Sequence, residues 1–320
     1  MITLSKIAKL ANVSVSTASK AFSLSGEINE ETRELVFKIA REQGCFKKFF
    51  SAKYPKFVIA VICPEIISLT YSDMLLSLQK YLSERNCEIC VATTDFSSEK
   101  ELELIDYYYK YSSVDGIILL GGNTVDLKDF PEIPLVYIGN KTSGNQVCFY
   151  NNYRPALKEA VDYLLENKIF DVGFIGEPRT GPKQARLLEL LDEAGHPMKE
   201  EFISISESRF EQGGYEAAKQ LISRGRLPRA VVCGYDYMAI GAIRCFLDSG
   251  IRVPEDILVL GMDDITEAMY LNPPLASIAT EKEEICRLAA DAIVNRINGD
   301  YSDKSKSFPA TFKLRKSFMI

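Results

Sequence analysis

Two hydrophobic rhythms divide this chain near Lys56. Before that point apolar residues recur only at helical spacing. After it, short apolar runs alternate with amphipathic stretches. Leu4, Ile7, Ala8 and Ala11 mark a first helix, with Thr3 suited to cap it. Asn12-Val13-Ser14 interrupts the pattern, since Asn tolerates a left-handed turn and Ser14 can cap a second helix. Val15 to Phe22 then places Ala18 and Phe22 on one side, and Ser16 and Lys20 on the other. A short helix that shows small polar groups and a cation to solvent, directly after a tight turn, predicts a DNA-reading helix-turn-helix. An ordinary helical hairpin shares this pattern, and these residues alone leave both open. Asn29 caps a third helix, Glu30 and Glu31 suit its first turn, Leu35, Val36, Ile39 and Ala40 form its inner face, and Gly44 stops it.

Beyond Lys56 the pattern predicts strands over 57–62, 87–92, 116–120, 135–138, 172–175, 202–205, 230–233 and 257–260. Helices are expected over 73–85, 100–111, 155–166, 183–194, 214–223 and 238–249. Apolar strands separated by amphipathic helices indicate parallel α/β sheets, here two in succession. Ligands of such sheets bind beyond the carboxyl ends of the strands, so the expected site is a cleft between two subdomains.

Charge strengthens the division. Residues 1–56 hold ten Lys/Arg against five Glu, while the whole chain carries −6. A basic head on an acidic body suits contact with phosphates. No apolar run reaches the roughly 20 residues of a membrane span, and the first residues lack a signal-peptide core, so a cytoplasmic protein is expected. Its eight Cys should then remain reduced. Cys87 and Cys90 lie three apart on an expected strand, on opposite faces, with no second pair or nearby His to complete a metal site. Enzyme chemistry has little to draw on: His196 is the only histidine, and neither GxxxxGK[ST] nor GxGxxG occurs. Asp263-Asp264 suits turn and hinge hydrogen bonds, and Tyr107 to Tyr111 suits packing or partner contact. No cofactor or metal is implied.

The head, Ile7 to Ser14, Val15 to Lys20 and Glu30 to Arg33, resembles the lactose/galactose repressor (LacI/GalR) family almost position for position. Val114 to Leu119, Tyr237 to Ala242, Val253 to Asp256, Gly261 to Asp264 and Asn272 to Leu275 extend the likeness over nearly the whole chain, in the family's order. The resemblance implies an all-α helix-turn-helix head (1–45), a linker (46–56), and a periplasmic-binding-protein-like (type I) α/β body of doubly wound parallel sheets (57–320). One subdomain is expected over 57–152 and 277–301, the other over 153–276 and 302–320, with the chain crossing near Asn152, Ser277 and Tyr301. The implied function is a sequence-specific transcriptional repressor, a homodimer on a pseudo-palindromic double-stranded operator, governed by a small effector, by expectation a carbohydrate.

By that resemblance Val15, Ser16 and Lys20 take base-contacting positions, with Lys20 able to donate to guanine O6 or N7. Thr3, Ser14, Thr17 and Ser19 suit phosphate oxygens. The linker departs from the family: it is about three residues short, with Tyr54 where a minor-groove Leu is usual. Phe49, Phe50 or Tyr54 could act as a wedge beside Lys47, Lys48 and Lys53, or simply pack against the body. The effector site is implied at Tyr71, Lys183, Arg209 with adjacent Phe210, Tyr235 and Asp236, the last as an acceptor of ligand hydroxyls. Lys183 and Arg209 together also suit an anionic ligand. Two alternatives stand beside this reading: a DNA-binding regulator that answers to a protein partner or to none, and a solute-binding or catalytic α/β protein with an incidental head.

Overall fold

A computed structural model describes residues 2–50, 56–112, 114–121, 134–139 and 146–320, apart from the Lys47 side chain. The chain divides into two compact units, Met1–Phe57 and Val58–Ile320.

The first unit contains α1 (Leu4–Leu10), α2 (Val15–Phe22), α3 (Glu30–Glu42) and the single turn α4 (Phe46–Phe49). Thr3, Ser14 and Asn29 cap the first three through their side-chain oxygens. Asn12 and Gly44 adopt the left-handed conformation at the breaks. Ile7, Ala8, Ala18, Ala21, Phe22, Val36, Phe37 and Ala40 make the core, where small alanines let α1 and α2 approach closely. The segment expected as linker from residue 46 begins instead as part of this core. Phe46 meets Phe37 edge-on at 5.0 Å, Phe49 lies 5.7 Å from Phe22, and Phe50 lies 5.7 Å from Phe37. Phe49 and Phe50 therefore pack on the head's own core, a third outcome beside the two alternatives of a wedge and of packing against the body. Burying their rings removes apolar surface that a solvated linker would expose. Tyr54 and Lys53 lie outside the described residues.

The second unit holds two lobes. In the first, β1 (Phe57–Cys63), β2 (Cys87–Thr93), β3 (Gly116–Leu120), β4 (Leu135–Ile138), β5 (Val147–Asn152) and β11 (Lys306–Pro309) form a sheet in the order β11-β5-β4-β3-β1-β2. It packs with α5 (Leu69–Ser83), α6 (Ser98–Lys110) and α11 (Lys282–Ile297). The second lobe's sheet joins β6 (Val172–Gly176), β7 (Ile203–Ile205), β8 (Ala230–Cys233), β9 (Leu258–Met262), β10 (Ala276–Ala279) and β12 (Thr311–Lys313) in the order β12-β10-β9-β8-β6-β7. Its helices are α7 (Arg154–Glu166), α8 (Gly181–Glu193), α9 (Phe210–Ser223) and α10 (Asp236–Asp248). Pairing in the second sheet is parallel except at the edge, where β12 runs antiparallel to β10. Every residue of β3, β8 and β9 is buried, which explains their uninterrupted apolar runs.

Three passages join the lobes: after β5, after β10, and between β11 and β12. The second follows Ala279, because Ser277 lies inside β10, paired with Gly261 of β9. The third falls at Pro309–Thr311 rather than near Tyr301. Residues 306–309 first pair with β5, so this stretch belongs to the first lobe and not, as expected, to the second. Helix α9 also starts four residues before the expected 214. Its Gly213 and Gly214 do not break it: a Cβ on Gly213 would stand 2.2 Å from the Ser208 carbonyl oxygen, and one on Gly214 2.0 Å from the Met238 carbonyl oxygen of α10.

Candidate DNA interface and interlobe cleft

On α2, Val15 is 47% exposed, and Ser16, Ser19 and Lys20 are also solvent-facing, whereas Ala18, Ala21 and Phe22 point inward. The exposed stripe thus carries the three side chains expected to meet base edges. Ser14 Oγ accepts from the Thr17 backbone N–H at 2.9 Å and shares a second hydrogen bond with Thr17 Oγ1 at 2.8 Å. One hydroxyl proton of that pair remains available to a phosphate oxygen. Lys48, distant in sequence, donates to the Ile2 carbonyl at 3.1 Å and so stands beside Thr3 at the start of α1. Sequence reasoning missed one partner: Glu27 pairs with Lys20. This contact holds the Glu27 carboxyl below its ordinary range.

Between the lobes lies a cleft of about 950 Å³. Tyr71, Lys183, Arg209, Phe210, Tyr235 and Asp236 all border it, but most are already engaged. Tyr71, on α5, packs over Gly121, whose φ of +65° and lack of Cβ admit the ring; a Cβ there would lie 2.5 Å from it. Burial pushes the Tyr71 hydroxyl above its ordinary pKa. Lys183 donates to the Gly234 carbonyl at 2.8 Å and to Asp263 at 3.2 Å, with its amine 5.3 Å from the centre of the Tyr153 ring. Arg209 reaches across from the start of α9 and forks onto Glu65 of the first lobe, at 2.7 and 2.9 Å. That contact drives its pKa further up. The Tyr235 hydroxyl accepts from the Phe210 backbone N–H at 3.0 Å.

Asp236 does not offer its carboxylate to a ligand, contrary to expectation. It is 1% exposed, and its oxygens accept from the Ile265 backbone N–H at 2.8 Å and the Ser277 hydroxyl at 2.6 Å. Burial raises its pKa to about 7. Asp264 takes the hinge role expected of its pair: its N–H donates to Ser277 Oγ at 3.0 Å, and its side chain meets Arg315 at 2.7 Å. Asp263 instead turns into the cleft toward Lys183.

Glu65, Glu177 and Asp263, together with Phe96, are cleft residues that the sequence reading passed over. A signal was present. Glu65 follows β1 by two residues, and Glu177 and Asp263 directly follow β6 and β9, at the carboxyl strand ends where ligands of such sheets gather. Two further groups point to a ligand. Ser68 Oγ and Asn151 Oδ1 border the cleft, are shielded from water, and have no hydrogen-bond partner among the described residues. Among the described residues no group of three or more His, Cys, Asp or Glu side chains could hold a metal ion. No described helix is long and apolar enough to cross a membrane.

A helix-turn-helix head in series with a two-lobed, hinged α/β body defines a transcription regulator that carries its own sensor. Residues 3–44 match the profile of bacterial regulatory proteins of the lacI family, and residues 161–318 match that of the periplasmic binding protein-like domain. Catabolite control protein A of Priestia megaterium is 25% identical over 99% of each chain. The ribose operon repressor of Haemophilus influenzae is 27% identical over 99% of this chain and 98% of its own. Among solved structures, a complex of the transcriptional regulator CelR with cellobiose shares 26% identity, covers 99% of this chain and 100% of its own, and superposes with a TM-score of 0.71. The head thus carries a lacI-type DNA-binding domain and the body a periplasmic binding protein-like domain, and the curated relatives that match along the whole chain are transcriptional repressors, not enzymes.

Proposed function

We propose that this repressor binds its operator as a dimer and is switched by an uncharged, hydroxyl-rich small molecule, a carbohydrate, held between the lobes. One observation carries the ligand class: the two cleft cations that would also suit an anion are already matched, Lys183 by Asp263 and Arg209 by Glu65. Matched pairs offer donors and acceptors side by side without net charge, which suits hydroxyls that do both. Ser68 and Asn151 add polar atoms with no partner among the described residues, and buried unmade hydrogen bonds are costly, so both favour a hydroxyl-bearing ligand. Tyr71, Phe96 and Tyr153 supply ring surface for the apolar face of a sugar. The cleft volume falls within the ~300–1,000 Å³ typical of small-molecule sites. CelR, the relative solved with cellobiose, supports the same class.

Dimerisation draws on exposed apolar side chains of the first lobe, among them Ile67, 76% exposed, and Leu76, 64% exposed. Two heads on one duplex then read two half-sites. Thermal shift against neutral mono- and disaccharides, sugar phosphates and nucleosides tests the ligand class. A ligand at a hundred times its Kd should add about 2.7 kcal/mol. Stabilisation by neutral sugars, coupled to a change in operator affinity, is the expected result; stabilisation by sugar phosphates alone refutes the uncharged reading. Sedimentation at micromolar concentration tests the dimer.

A further inference from the structure

We infer that Glu65 is a built-in anion of the cleft: it fills the guanidinium fork of Arg209, ties the two lobes together in the ligand-free protein, and thereby makes the site select against negatively charged effectors. The inference rests on the proposal that the cleft is the effector site.

The contact has the form of a constructed site. Glu65 is 8% exposed and stands at the end of β1; Arg209 comes from the opposite lobe, and the two meet through parallel N–H to oxygen bonds, the geometry in which Arg binds carboxylate most selectively. A second acid, Glu177, is 2% exposed and lies 3.7 Å from Arg209 Nε. Aromatic rings from both lobes flank the guanidinium, Phe96 of the first at 5.0 Å and Phe210 of the second at 4.5 Å. Phe96 also receives Arg179 of the second lobe at 4.4 Å. Both phenylalanines adopt a left-handed backbone, φ +60° and +56°, which bulky residues rarely do. The Tyr235 hydroxyl fixes the second of them through its backbone N–H. Side chains and backbone from both lobes thus converge on one cation.

Selection and closure both rest on this pair. Any carboxylate or phosphate seeking Arg209 must first expel Glu65, leaving that buried acid without its guanidinium partner. An uncharged ligand need not disturb the fork. Because the pair spans the gap, its loss also frees the lobes to separate about the three passages.

Full-length protein carrying Glu65→Gln and Arg209→Gln, singly and together, separates these effects without any effector. The inter-lobe distance is read by energy transfer between dyes on non-natural residues at exposed Ser98 and Glu207, one on each lobe. Both single variants should lengthen or broaden that distance in the ligand-free protein. Titration with inorganic phosphate is the second reading: Glu65→Gln should bind it at least tenfold more tightly than the parent, whereas Arg209→Gln and the double variant should not. Unchanged distances in both single variants overturn the tie. Parent protein that binds phosphate as tightly as Glu65→Gln overturns the exclusion. Arg209→Gln retains the buried acid and Glu65→Gln retains the cation, so misfolding of one leaves the distance test to the other. Since neither reading uses a sugar, a failed sugar screen would count against the proposed effector class and not against this inference.

Discussion

Asp236 is held by two neutral donors, and its burial sets a definite sign for its effect on stability. In the unfolded chain an Asp titrates near 3.9, whereas in the folded protein this carboxyl titrates at about 7. Between those values the folded state holds the proton that the unfolded state has lost. The contribution of Asp236 to stability therefore falls as pH rises toward 7 and is level above it. Asp236→Asn should shrink the difference in urea midpoint between pH 6 and pH 8; an unaltered difference rules this out. On the reading helix, Lys20→Ala should cost about 1–3 kcal/mol of discrimination at one base pair while overall affinity falls less, as a mobility-shift competition would show. Glu27→Gln removes the acid that competes with DNA for Lys20, and should raise operator affinity at low salt. Sequence pattern singled out Lys20 because exposure on a short helix follows from spacing. It could not show that Asp236 faces inward and Asp263 outward: both follow buried strands, and only the fold decides which carboxylate Ser277 and Ile265 engage.

At the scale of elements, periodicity located most strands and helices of the two lobes, since strands buried on both faces leave unbroken apolar runs. It failed where glycine carries a packing role. Gly213 and Gly214 resemble a helix boundary, yet they lie inside α9, where the Ser208 carbonyl leaves no space for a side chain on the first and the backbone of α10 leaves none on the second. Gly241 of α10 is the reciprocal position: a Cβ there would stand 1.9 Å from the Glu211 carbonyl oxygen. Gly241→Ala should therefore lower stability by about 1–3 kcal/mol despite its better helix propensity, measurable by denaturant unfolding; a stabilised variant would show that the helices part freely. Strands β11 and β12 were illegible for a different reason. They are short, lie at sheet edges and are partly polar, so pairing with β5 and β10 decides their state, not their own pattern. The aromatic turn α4 was legible as apolar but not as core, because four residues cannot show which unit they will pack on.

For the whole molecule, charge and function divide at the same place. A chain beginning at Val58 should retain the two lobes and any effector binding while losing sequence-selective DNA binding. The intact protein should show a log–log salt slope of about −0.9 for each phosphate engaged. Effector and operator must weaken or strengthen one another by one common factor, of about 1–3 kcal/mol in such couplings. Unequal factors from calorimetry with and without operator would mean that two independent events had been measured. The triple passage between lobes has a further consequence during synthesis. The first lobe cannot complete its sheet until Pro309 has been polymerised, whereas every contact in the head's core is complete by Phe50. At ~5–20 residues per second the ribosome needs roughly 10–50 s to cover that interval. A nascent repressor therefore owns a finished reading head well before it owns a finished sensor.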